Sequence, residues 1–425
     1  MKAATTSGEL RAHNRARLLR AVHDCGAART RSQLTRDLGL ARGTASVLVA
    51  GLADDELLHE EPAPWHGRGR PTHVPGPHPR GPLALAADVR EDAWELAACE
   101  LGGRTTVLAV RPHDGTPEGT LGTLGAAVAA ERARLRHRVV GIGVALAGPV
   151  RHGGLVDIAH LGWRAVDVPG LLLGSPPRRP AAERGATSGR EPEDAPADAV
   201  PLPPADEVPL VVGNDTAFAA LAEARRGRLR GVRVGLHLHV DFDLGGVLVV
   251  DGRPLGGWSG TGAEFGHMPL TGGDRVCPCG AAGCWGQDVG ANALLRHVGL
   301  GHGGGRGREQ AEHVLATSRE AVAENARALG RGIAALVNAH DPEAVTLSGH
   351  GVELYERAAD TLLAACEPRL MAIRRDRPPR VETSALGWRG ALVGAMESVF
   401  DAFLTPEGLD RWRAADHPAA APLPP

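Results

Sequence analysis

Lysine is almost missing from this chain: of 47 basic residues among 425, only Lys2 is a lysine. Functions that need a catalytic or phosphate-cradling lysine are thereby excluded. Tyrosine is as scarce, with Tyr355 alone. No apolar run approaches the roughly 18 residues a membrane span needs, and Met1 to Leu10 lacks the apolar stretch of a signal peptide. A cytoplasmic protein is expected. What is present is ordinary for a folded chain, 43% hydrophobic and 23% charged residues with a net charge of −3, and the length predicts two to three domains. Gly (57) and Pro (32) are frequent and unevenly spread.

Charge is uneven as well. Residues 1 to 53 hold nine basic residues, among them Arg15, Arg20, Arg31 and Arg42, against Glu9, Asp24 and Asp37. Such a segment suits an anionic partner, although charge alone equally suits a solvated surface. Apolar spacing predicts a helix over Asn14 to Cys25, stopped by Gly26, a second from Arg31 to Leu38 with Thr30 as N-cap, and a third from Ala41 to about Ala53. Two short helices joined at Gly39 read as a helix-turn-helix, whose second helix presents its first residues to base edges. Arg42, Thr44 and Ser46 are those candidates. Ala41 is a poor cap, and Gly43 costs that helix roughly 1 kcal/mol relative to alanine. Leu57 to Glu60 and the run Gly67-Arg68-Gly69-Arg70-Pro71 then read as a wing, with Arg68 and Arg70 placed for a narrow minor groove.

Proline and glycine from Pro71 to Pro82 mark a boundary, giving a winged helix over 1–75, a linker over 76–82 and a body over 83–410. Short apolar runs predict strands at Leu83–Val89, Trp94–Glu100, Thr105–Arg111, Val139–Leu146, Val208–Val212, Val232–Val240 and Gly246–Val250. Helices are expected at Thr120–Arg138 and Thr216–Arg226, then at Arg308–Asn338 and Glu353–Ile373. The class is α/β, with a mixed sheet that is expected to be duplicated into two lobes. Residues 175–206, rich in Pro, Ala, Arg and Glu, and the tail 411–425 are expected to be disordered.

Three of the six cysteines fall within eight residues, and with His267 they make the spacing H-x9-C-x-C-x4-C through Cys277, Cys279 and Cys284. Three thiolates and one imidazole fill a tetrahedral Zn²⁺ site and leave no open position, so a structural zinc is expected. A redox pair or unrelated thiols are the alternatives.

The run Gly262 to Pro269, followed by Cys277-x-Cys-Gly-x-x-Gly-Cys284, resembles the signature of the ROK family, which groups sugar kinases with sugar-responsive repressors. Gly141-Ile142-Gly143-Val144 to Gly148-Pro149, Gly162-Trp163, Gly213 to Ala217, and Leu336-Val337-Asn338 to Asp341-Pro342 share the resemblance. It implies an actin-like, ribonuclease H-like ATPase fold with a sugar in the cleft between two lobes, preceded in the repressors by a winged helix. It also implies roles: Asp215 beside Asn214 as the position of the kinases' general base, Glu264 and His267 on sugar hydroxyls, and His267 on zinc too. Buried polar groups satisfied only by hydroxyls would reject ligands that lack them. Asn and Asp alone would suit a strand-end turn.

The departures bear on function. The kinases' Asp-x-Gly-Gly-Thr phosphate loop reads Asp88-Val89-Arg90-Glu91-Asp92 here, their Gly-Thr-Gly run reads Asp241 to Gly246, and Ser348-Gly349-His350 replaces a Gly-Gly pair. Acidic side chains stand where glycine backbone would approach phosphate. Two sugar positions also differ, Gly286 for a glutamate and His160 for an asparagine. The expectation is a non-enzymatic regulator of carbohydrate-metabolism genes, a repressor that binds DNA as a homodimer or homotetramer, with a sugar or sugar derivative as effector. An active sugar kinase and an effector-independent DNA-binding protein are the alternatives.

Overall fold

The computed structural model describes residues 6–62, 73–151, 153–174, 208–262, 264–271, 273–300, 307–415 and 423. Arg68, Arg70 and the expected disordered insert 175–206 lie outside the described residues. The chain opens with helices α1 (Ser7–Asp24), α2 (Arg31–Asp37) and α3 (Arg42–Asp54). Thr6 and Thr30 cap the first two through capping boxes closed by Glu9 and Gln33, whereas Ala41 gives α3 no side-chain cap. The antiparallel pair β1 (Leu58–Pro62) and β2 (His73–Pro77) follows. The linker expected at 76–82 therefore begins inside a strand. Its Gly76 and Pro77 stand opposite His59 and Leu58 in the strand pair.

The body begins with β3 (Leu83–Val89), β4 (Ala93–Glu100), β5 (Thr105–Pro112), α4 (Pro117–Leu135) and β6 (Val139–Leu146). A small meander, β7 (Val150–Arg151), β8 (Leu155–Ile158) and β9 (Trp163–Asp167), leads into α5 (Val168–Leu173), then β10 (Leu210–Asn214) and α6 (Asp215–Arg226). The second half holds β11 (Val234–Val240), β12 (Leu244–Val250), β13 (Arg253–Pro254), α7 (Ala291–His297), α8 (Arg308–Thr317) and α9 (Arg319–His340). It ends with β14 (Ala344–Gly349), α10 (His350–Cys366), α11 (Ala372–Arg375), β15 (Arg380–Thr383), α12 (Gly390–Phe403) and α13 (Pro406–Ala414).

Two mixed five-stranded sheets result, β10-β6-β3-β4-β5 and β13-β12-β11-β14-β15. The expected helix over Arg308–Asn338 is two, because Ser318 leaves helical geometry and caps α9. The tail expected to be disordered from 411 is helical to Ala414. Thr405 caps α13 with Pro406 in its first turn, and Trp412, 4% exposed, donates its indole N–H to Asp55 O at 2.7 Å.

One apolar core runs from α1–α3 (Leu18, Leu19, Leu52) through α12 (Met396, Phe400) to α13 (Trp412), so the N-terminal unit is packed onto the body. Helix α12 crosses α6 backbone to backbone. A Cβ built at Gly394 would stand 1.8 Å from Phe218 O, and one at Gly390 3.1 Å from the Ala219 methyl. Gly394→Ala is therefore expected to destabilise the chain by about 1–3 kcal/mol through overpacking, read as a lower thermal unfolding midpoint; an unchanged midpoint would contradict the contact.

Candidate functional site

The cleft is built where strand ends of both sheets meet α6. Asn214 ends β10 and caps α6, its Oδ1 accepting from Ala217 N at 2.9 Å while its amide nitrogen donates to Gly148 O at 3.1 Å. Asn214 and Glu264 both line a cavity of about 40 Å³, together with Thr216, Gly245, Gly246, Leu255, Gly260 and others. Burial, with the Asp215 charge adding, pushes the Glu264 carboxyl up to about 7. Asp215 sits beside them as the first residue of α6, its Oδ1 accepting from Thr216 N at 2.6 Å. His160 and His267 do not line this cavity. His160 faces Glu91, at 3.7 Å, and His267 belongs to the cysteine cluster. Gly286 lies against backbone, where a Cβ would meet Gly266 O at 3.3 Å.

The next layer of the cleft is ionic. The β3–β4 turn carries Glu91 and Asp92, and the β11–β12 turn carries Asp241 and Asp243. Arg308, at the start of α8, reaches both turns: its Nη1 and Nη2 donate to the two Asp241 oxygens at 3.0 and 3.2 Å, and its Nε donates to Asp92 Oδ2 at 3.1 Å. The guanidinium also lies 5.1 Å from the Phe242 ring centroid and 5.4 Å from that of Trp388. Burial opposes ionisation of Asp241, yet Arg308 and His239 hold its carboxyl below the ordinary range. Glu91 is raised well above its ordinary range by burial and by Asp241, with its own backbone and Arg308 opposing. At the third altered motif, Ser348 Oγ bonds His239 and His237 at 2.8 and 3.1 Å, and buried His350 packs edge-on against Trp388. No spacing in the sequence pointed to Arg308, which lies 216 positions from Asp92.

His267, Cys277, Cys279 and Cys284 come together, their ligand atoms all within 4.8 Å of one another. His267 Nδ1 stands 3.7 Å from Cys277 Sγ, and Cys279 Sγ 3.8 Å from Cys284 Sγ. A tetrahedron with metal–sulfur bonds of about 2.3 Å has edges of about 3.8 Å, so these residues fit one tetrahedral ion. Gly280 (φ +97°) and Gly283 (φ +72°) make the reversals. The adjoining Trp285 is buried and donates to Ala328 O at 2.9 Å, which moors the loop on α9.

In the N-terminal unit Arg42, Thr44 and Ser46 are all exposed, but they do not share one face. At about 100° per residue, Arg42 and Ser46 flank one side of α3 and Thr44 the other. The outward centre is Gly43, Val47 and Ala50, with Val47 56% exposed, a residue the sequence reading passed over. Much of the basic excess is engaged internally. Arg15 pairs with Asp55, Arg20 with Asp401, Arg29 with Asp37 and Arg31 with Glu60.

Residues 202–401 match the profile of the ROK family. The chain carries a ROK family domain. It is 26% identical over 311 residues to a glucokinase of Streptomyces coelicolor, covering 67% of this chain and 87% of that one. It is also 26% identical over 215 residues to the xylose repressor of Caldicellulosiruptor bescii, covering 47% and 54%. A ROK family transcriptional regulator, a homolog of the E. coli MLC protein, superposes with a TM-score of 0.66 at 21% identity over 96% of this chain and all of that one. The body thus has the ROK sugar-kinase fold.

Two outcomes follow. Purified protein is expected to hold about one zinc per chain by elemental analysis, lost in Cys284→Ser; less than about half an ion in the wild type would contradict the four-ligand site. Asp88 is pushed from 3.8 to about 7 by burial, with Arg90 opposing and Asp215, Glu95 and Asp241 adding. The folded state then binds a proton that the unfolded chain releases near its ordinary value. That stabilisation is full in acid and is lost as pH rises through about 7. Denaturant midpoints of Asp88→Asn should fall less between pH 5 and 8 than those of the wild type.

Proposed function

We propose that this protein is a DNA-binding transcriptional regulator, a repressor of carbohydrate-metabolism genes, whose kinase-like body takes a sugar-type effector and does not use ATP. The observation that carries this reading is Arg308. Its guanidinium bridges Asp92 and Asp241 across the two turns that correspond, by resemblance, to the kinases' phosphate loops. Phosphate would meet Glu91, Asp92, Asp241 and Asp243, and the nearby cation is already engaged in a bidentate pair. The repressor and regulator relatives support the same reading. In it, α1–α3 and the β1–β2 pair act as a winged helix, with α3 in the major groove through Arg42, Ser46 and Thr44, and Arg68 and Arg70 between the paired strands in the minor groove. Residues 1–75 act as this module, 83–410 as the body, and two or four copies assemble on a pseudo-palindromic site in the cytoplasm. The ion at His267 and the three cysteines is structural zinc. Asn214, Asp215 and Glu264 hold the effector's hydroxyls.

The glucokinase relative favours one rival, an active sugar kinase. Incubation with ATP and a panel of hexoses separates the two: no sugar phosphate should form, and ATP should leave the melting temperature unchanged. Turnover that disappears in Asp215→Asn would overturn the proposal. For DNA, genomic fragments selected in vitro by the wild type should bind at least tenfold more weakly to the Arg42→Ala, Arg68→Ala, Arg70→Ala triple variant, whereas equal gel-shift affinity would remove these residues from DNA reading. If no hexose, amino sugar or pentose moves the melting temperature, the effector part fails.

A further inference from the structure

The N-terminal unit is held on the body by a buried polar joint that the proposed activities do not use. His23, in the last turn of α1, is fully buried, and so is Glu397 of α12. Gly102 N–H donates to His23 Nδ1 at 3.0 Å. An amide N–H can only donate, so Nδ1 is the acceptor, and Nε2 stands 3.1 Å from Glu397 Oε2 and 2.9 Å from Arg226 Nη2. Arg226, the last residue of α6, closes the set. Its Nε donates to the other Glu397 oxygen, its Nη1 to Gly102 O at 3.0 Å, and its Nη2 to His23 O at 3.4 Å. One turn further along α12, Asp401 accepts from Arg20 of α1 and, at 3.1 Å, from Arg225 of α6. Consecutive arginines on α6 thus meet acids four apart on α12, and those acids in turn hold Arg20 and His23, three apart on α1.

The opposite end of the same helix is the pocket wall. Asn214 caps α6, and Thr216 and Ala217 of its first turn line the cavity with Glu264. The span is 12 residues, about 18 Å of helix. The cavity, about 40 Å³, is far below the roughly 300–1,000 Å³ of pockets that enclose drug-sized ligands. A sugar that enters must part the α6 end from the facing loop at Leu255 to Gly262. Because α12 touches α6 backbone to backbone at Gly394, the two helices answer such a displacement as one body.

We infer that α6 is the coupling element between the pocket and the N-terminal unit, its first turn sensing the pocket and its Arg226 end holding α1 through Glu397 and His23. The link is a contiguous path of packed backbone and hydrogen bonds running from the pocket to α1. Its meaning as effector response rests on the sugar-binding reading above, but its test uses no ligand, so the two can fail separately.

The experiment is amide hydrogen exchange on the full chain, arranged as a cycle. Asn214→Ala removes the α6 cap at the pocket end, and Glu397→Gln keeps the shape of the joint while removing its charge. In the otherwise native chain Asn214→Ala should speed exchange of residues 20–25 roughly twofold to tenfold. In the Glu397→Gln background it should add nothing. Should Glu397→Gln not fold by circular dichroism, Arg226→Lys takes its place. Faster exchange confined to 214–218, with residues 20–25 unmoved, overturns the inference. So does an Asn214→Ala effect on residues 20–25 that survives undiminished in the joint variant.

Discussion

The contact on which most of this structure depends is the crossing of α6 and α12 at glycine. With no side chain at Gly390 or Gly394, the α12 backbone lies against Phe218 and Ala219. That closeness lets one surface of α12 cover the first sheet, where Ala395 O approaches Gly143, while Glu397 and Asp401 reach the N-terminal helices. An alanine-sized intrusion would lift α12 off both. The β6 glycines belong to the same constraint, since a Cβ at Gly143 would stand 2.4 Å from Ala395 O.

The same glycines explain where the sequence was legible and where it was not. Strands Leu83–Val89 and Val139–Leu146 could be read to the residue, because buried sheet strands are continuous apolar runs bounded by turns. Helix α12, Gly390-Ala-Leu-Val-Gly-Ala-Met, escaped notice because glycine normally signals a break, and here it signals close approach. Helix α13 had a readable start in Thr405-Pro406-Glu407. The cysteine cluster was legible because its ligands are local in sequence. Arg308 was not, since its partners Asp92 and Asp241 are brought to it only by the fold.

Within the cleft, chemistry has been exchanged rather than erased. Asp92 and Asp241 of the two turns find one arginine, two aromatic rings flank that arginine, and His350 fills the remaining corner beside Trp388. Such an arrangement holds the two halves together from within. Asn214 and Glu264 stand on the cavity wall.

The internal pairing of Arg15, Arg20, Arg29 and Arg31 has a further consequence for how the N-terminal unit meets a polyanion. Counterions are displaced from a nucleic acid only by cations that approach its phosphates, and of the paired arginines Arg15, with its side chain and that of Asp55 both 15% exposed, is the least free to do so. In the DNA-binding reading the salt dependence should therefore be smaller than the nine basic residues of 1–53 alone would give. In that same reading, selectivity would rest on the outward face of Gly43, Val47 and Ala50 with Arg42, Thr44 and Ser46 at its edges.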